Sequence, residues 1–122
     1  MAEAALVGDR EGAYDFAVTS VRVDAGHVLV QARGDVDVET APAFQACLQT
    51  HLHPGGVPVV VVDLRDVTFL GAAGVRALAR ARGAAAACGQ TVQVQLSSTH
   101  RGPSRALYLT GLLDVLQVTF DD

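Results

Sequence analysis

The chain contains no lysine, so all nine of its basic residues are arginine, a bias we attribute to genome composition and not to function. Against thirteen acids they leave a formal net charge of −4. A phosphate-binding surface needs a basic excess gathered on one face, so nucleic acid is not expected as a partner. Arg76, Arg80 and Arg82 do cluster, but charges along one helix ordinarily mark a solvated face. Long hydrophobic runs are missing too. A membrane helix needs about 18–20 consecutive apolar residues, whereas the longest strongly apolar stretch here, Val59–Val62, ends at Asp63. The opening Met1–Asp9 has neither the basic region nor the apolar stretch of a secretion signal. The expectation is a soluble, cytoplasmic protein with no membrane insertion. Two cysteines, Cys47 and Cys88, are all the chain has, and in a reducing compartment they read as small buried side chains and not as a disulfide.

What is present suits one domain. The 122 residues are half apolar, and roughly 100–200 residues make a domain. Residues 1–12 carry no periodicity and read as a flexible tail, leaving 13–122 for the domain. From Tyr14, the apolar residues Phe16, Val18, Val21 and Val23 approximate a two-residue period, and Asp24-Ala25-Gly26 supplies a turn before the alternating run His27–Arg33. Together they predict a β-hairpin, ended by Gly34-Asp35-Val36-Asp37. Glu39, Thr40, Ala41 and Pro42 then open a helix expected over Val38–His51, stopped by His53-Pro54-Gly55-Gly56.

Val57–Leu64 is a short β-branched run expected as a strand buried on both faces at the sheet centre. Arg65–Leu70 reads as a connection. A helix is expected over Ala72–Cys88, with Gly89 just past its end and Gly83 inside it, where a close packing contact would account for the glycine. Thr91–Leu96 alternates as a further strand, Pro103–Leu109 is helical, and Val115–Phe120 gives the last strand. Alternation of strand and helix in the second half predicts right-handed crossovers. The fold class is therefore α/β, a mixed, mainly parallel sheet of four to five strands with helices chiefly on one side.

Few residues form a chemical constellation. His51 and His53 stand two apart, where ligands on a helix favour three or four, so they read as surface residues and no metal is expected. Ser97, Ser98 and Thr99 before His100 read as cap residues. Asp35, Asp37 and Asp63 are strand-end acids of the kind that shape turns. No nucleophile, base and orienting acid assemble, and Gly-x-Ser-x-Gly is absent; an enzyme is not expected, nor is a cofactor. The loop Gly71-Ala72-Ala73-Gly74 reads by itself as a tight strand-to-helix turn. It lacks the lysine and hydroxyl of a phosphate-binding loop and the three-glycine spacing of a dinucleotide site.

Three blocks in order resemble the STAS domain family of anti-sigma factor antagonists. The first is Gly34-Asp35-Val36-Asp37 with Ala41-Pro42, Phe44 and Leu48, the second Val60–Leu64 with Val67, Phe69-Leu70 and Gly74-Val75, and the third Leu109-Thr110-Gly111-Leu112. The resemblance implies a partner surface built from Asp35, Asp37, Gly71, Ala72, Ala73, Gly74, Val75 and Arg76. It also implies a partner: an anti-sigma factor of the serine-kinase type, whose capture frees a sigma factor and which phosphorylates a loop serine. Here Ala72 holds the acceptor position, Ala73 that of its Ser/Thr neighbour and Gly71 that of the usual aspartate. The frame is present and the hydroxyls are missing, which implies a non-enzymatic protein-binding module that escapes the phosphorylation switch. Two alternatives within the resemblance are a regulatory subunit of an ABC-type transporter ATPase and a domain that senses a nucleotide or small ligand. The specific partner and a homodimer stay open.

Overall fold

A computed structural model describes residues 16–121. Strands β1 (Ala17–Asp24) and β2 (His27–Val36) form the hairpin; α1 (Ala41–Thr50), β3 (Val59–Leu70), α2 (Ala72–Ala87), β4 (Thr91–Ser97), α3 (Arg101–Leu109), a 3-10 turn (Leu112–Asp114) and β5 (Gln117–Asp121) follow. The expected tail at 1–12, and Tyr14, lie outside the described residues. The five strands run in sequence order across one sheet, β1 antiparallel to β2 and the rest parallel. Each crossover advances in the same direction, so right-handed connections carry all three helices to the same face. The α/β class and the mixed, mainly parallel sheet are as the sequence predicts.

The core lies between that sheet face and the helices. Alternate residues Val28, Val30 and Ala32 of β2, Val60, Val62 and Leu64 of β3, and Val92, Val94 and Leu96 of β4 point inward and are buried with Phe44, Leu48, Leu78 and Leu107 from the helices. Each such side chain contributes about 1.5–3 kcal/mol on leaving water. On the opposite face Val59 and Val61 are half-buried, so β3 is central but closed on one side only, and the expectation of burial on both faces is met in part. Between them and the strand's end sits Asp63, which is 5% exposed. Its carboxylate accepts two hydrogen bonds from the Arg65 guanidinium, both 2.9 Å, one from the Arg65 backbone N–H and one from Gln31 Nε2. Burial pushes the Asp63 pKa up, but these donors outweigh it and hold the group below its ordinary 3.8. Among the described residues no helix is long and apolar enough to cross a membrane.

Several expected boundaries shift for local reasons. Helix α1 begins at Ala41 and not Val38, because Asp37 Oδ1 accepts the N–H groups of Glu39 and Thr40 and folds 37–40 into a side-chain-closed turn. Residues 65–70 are strand, not connection: after Asp63 releases β4, pairing with β2 continues through two register shifts, one before the pair Arg33 and Asp66 and one before the pair Asp35 and Phe69. Likewise β2 runs on through Gly34 to Val36. Strand β5 starts at Gln117, since the chain from Leu112 first makes a 3-10 turn. Ser97 does not cap α3 but closes the turn before it, accepting the N–H groups of Thr99 and His100. Cys47 and Cys88 are free and half-buried, and burial raises the Cys47 thiol pKa against a lowering hydrogen bond with Ser20. His53 is exposed as expected, whereas His51 is half-buried.

Gly89 ends α2 as expected, with φ +72° and a Gln90 N–H bond of 2.8 Å back to the Ala85 carbonyl. Gly83 departs from expectation. It is exposed, and a Cβ there would meet nothing within 4 Å, so no close contact accounts for it. Gly83→Ala is therefore expected to raise the unfolding free energy by about 0.5–1 kcal/mol, read from the urea midpoint. The Asp63 network contributes its full stability above pH 3.8 and loses it as pH falls through the lower folded-state value. Urea titrations from neutral pH downward are expected to give a steep acid limb that Asp63→Asn flattens.

Candidate functional site

Strands β2 and β3 are parallel and finish at the same edge, where the sequence-predicted residues meet. Gly71, the residue between β3 and α2, donates its N–H to the Val36 carbonyl at 2.8 Å, and Val75 N–H closes the first helical turn onto the Gly71 carbonyl at 3.0 Å. Val36 separates Asp35 from Asp37, so this one hydrogen bond sets both acids beside the start of α2. Asp35 Oδ1 accepts the Thr68 hydroxyl at 2.8 Å across the strand pair. The Thr40 hydroxyl lies 2.7 Å from the Asp35 carbonyl and 3.2 Å from Asp37 Oδ1, and accepts the Asp37 N–H at 2.9 Å. Both acids thus hold the loop's shape, Asp37 most completely.

Packing explains the two glycines. A Cβ on Gly74 would stand 2.6 Å from Leu70 Cδ1 and 2.7 Å from Val36 Cγ1, so only glycine lets α2 seat directly on the paired strand ends. At Gly71 an added Cβ would meet the Phe69 ring at 3.0 Å. The aspartate that the resemblance places at this position is replaced by a residue that lets the ring lie against the loop.

Of the eight predicted residues, Asp35, Ala72 and Arg76 are exposed, Asp37, Gly71 and Ala73 are half-buried, and Gly74 and Val75 are buried. The last two therefore seat the helix and do not offer a surface. The first three amides of α2 precede its intrahelical hydrogen bonds, and the positive end of the helix dipole lies here. Alanine at 72 and 73 offers that end no oxygen to modify.

Two further side chains contribute to this edge. Phe69 is 52% and Val38 76% exposed, so two large apolar side chains flank the alanines. Phe69 stood in a stretch read as connection, and Val38 in one read as helix; their exposure depends on the register shift and the turn at 37–40. Beside them α1 and α2 enclose a groove of about 450 Å³. Val38, Pro42, Gln45, Ala46 and Gln49 form one wall, and Ala73, Arg76 and Arg80 the other. Arg80 reaches Gln45 Oε1 at 3.3 Å. Among the described residues no group of three or more His, Cys, Asp or Glu side chains is gathered as a metal site would need.

A family model described as "Mlab, STAS domain" matches residues 19–117. The fold is similar to that of an anti-sigma factor antagonist from Mycobacterium paratuberculosis, with 24% identity, a TM-score of 0.72, and 90% of this chain and 88% of that one covered. It is also similar to the Bacillus cell fate determinant SpoIIAA in its phosphorylated form, at 15% identity and a TM-score of 0.66 over 87% of this chain and 92% of that one. The unphosphorylated form of SpoIIAA, an anti-sigma factor antagonist, aligns at 20% identity with a TM-score of 0.65 over 87% and 89%. No curated protein matches the chain.

The seating of α2 is directly testable. Gly74→Ala forces a methyl into contact with Leu70 and Val36 and is expected to cost about 1–3 kcal/mol in urea denaturation, while Ala72→Ser, at an exposed position, leaves the midpoint nearly unchanged.

Proposed function

This chain belongs to the STAS domain family, and on that premise we propose that it is a non-enzymatic protein-binding module, an anti-sigma factor antagonist. Its partner is an anti-sigma factor of the serine-kinase type, captured so that a sigma factor is freed in the bacterial cytoplasm. The observation that carries this reading is the exposure of Ala72 in the first turn of a helix seated by Gly74, with Phe69 and Val38 beside it. A phosphoryl group there would bring about −1.5 to −2 charges into the contact. Alanine cannot accept one, so the surface stays apolar and the module stays permanently competent to bind. Asp35, Asp37 and Gly71 shape the edge; Ala72, Ala73 and Arg76 make the contact.

A second reading is favoured by the missing hydroxyls at positions 72 and 73: a regulatory subunit seated on an ABC-type transporter ATPase. The same exposed edge would serve, and no phosphorylation is needed. Affinity capture from the native cell separates the two, since a kinase-fold anti-sigma factor supports the first and an ABC ATPase the second.

Mixed with the encoded anti-sigma kinase and ATP, the protein is expected to form a stable complex with no label on residues 71–74. Absence of a complex with every encoded kinase of this type overturns the reading. Ala72→Glu places an unpaired carboxylate in the contact and is expected to weaken the complex by about 2 kcal/mol or more, roughly thirty-fold, in calorimetry, whereas Ala72→Ser keeps it.

A further inference from the structure

The groove between α1 and α2 carries a charge distribution opposite to that of the whole chain. The net charge is −4, yet α1 (Ala41–Thr50) has no charged residue and α2 (Ala72–Ala87) has three arginines and no acid. Arg82 is turned away, its Nε donating to the Val115 carbonyl at 3.1 Å. Arg76 and Arg80 remain on the groove wall, both exposed. Among the described residues Arg76 makes no hydrogen bond or ion pair, and Arg80 makes one hydrogen bond, to the neutral Gln45 amide. Standing four residues apart, they occupy one helix face one turn from each other, where like charges repel. The fold gains from that pair one exposed hydrogen bond, from Arg80 to Gln45. Between them and the facing wall the lining is small and apolar, with Ala41, Ala46 and Ala73, and Ala73 adjoins Ala72 at the edge.

The geometry points to an acidic helical segment of the protein partner as the occupant of this groove, lying between α1 and α2 with two carboxylates one turn apart. Those carboxylates meet Arg76 and Arg80, for guanidinium groups take carboxylates through paired hydrogen bonds. An apolar side chain between them packs against Ala46 and Ala73 on the two walls, and the Gln45 and Gln49 amides rim the other side. Two arginines on an acidic protein are too few to hold a nucleic-acid backbone or an anionic bilayer, where several phosphates must be neutralised together. The inference rests on the reading of this edge as a partner surface and names the chemistry of what it takes.

The test uses the full chain and a helical, alanine-rich peptide of about 15 residues carrying Glu at two positions four apart with Leu between them, a spacing that puts both acids on one face. Fluorescence anisotropy is expected to detect binding that falls at least tenfold in the Arg76→Glu/Arg80→Glu variant, falls with added salt, and is absent for the same peptide with Lys in place of Glu. Ala46→Leu narrows the groove without changing charge and is expected to weaken binding as well, while urea midpoints verify that each variant is folded. Equal binding of the acidic and basic peptides, or unchanged binding in the double variant, overturns the inference, as does displacement of the acidic peptide by phosphatidylglycerol vesicles. With the anti-sigma kinase as ligand the failures separate. Equal affinity for wild type and double variant removes the groove and keeps the proposed function; a peptide that binds where no kinase does keeps the groove and removes the proposed function.

Discussion

The hydrogen bond from Gly71 N–H to the Val36 carbonyl, 2.8 Å long, joins two strand ends that are far apart in sequence and turns their edge into a platform. One such bond contributes only about 1 kcal/mol net. Its effect comes from what is packed around it. Val36 and Leu70 are buried, and Gly74 presses α2 onto them with no room for a Cβ. Remove the close approach and α2 must lift, taking Ala72, Ala73 and Arg76 out of line with Asp35 and Phe69. The other features of this edge follow from the same constraint: the turn at 37–40, the ring of Phe69 over Gly71, and the groove that α1 and α2 enclose.

Reactivity and shape separate cleanly at this platform. A phosphorylatable loop needs an oxygen at a helix N-terminus, and the chain has methyl groups there. It retains the backbone amides, the dipole and the seating glycine, none of which depends on the side chain at 72. The surface that results is apolar at the loop and positive along the neighbouring groove, on a protein that is acidic as a whole. Electrostatic contrast of that kind orients an approaching partner more than it tightens the final complex.

Much of the fold was legible from periodicity. The inward residues of β2, β3 and β4 alternate in the sequence just as they do in the core, and α2 ends at Gly89 where a left-handed residue was expected. The misread pieces share a cause. Residues 65–70 look like a loop after Asp63, but they pair with β2 alone through two register shifts, and nothing local announces a strand that loses one neighbour and keeps the other. Val38 and Glu39 carry helix-opening character, yet Asp37 takes the amides of 39 and 40 for a turn. Gly83 looked like a packing glycine because propensity penalises it, and it faces open space.

The amino-acid order alone determined the strand and helix alternation, the missing hydroxyls at 72 and 73, and the short list of residues around them, because each is a property of covalent neighbours. Only the tertiary structure decided which of those residues can be touched. Gly74 and Val75 are buried while Ala72 and Arg76 are exposed, and Phe69, Val38 and Arg80 join the same surface. Exposure is set by what packs against a residue from elsewhere in the chain, here β2 under α2 and α1 beside it, and that neighbour is not encoded within any local window.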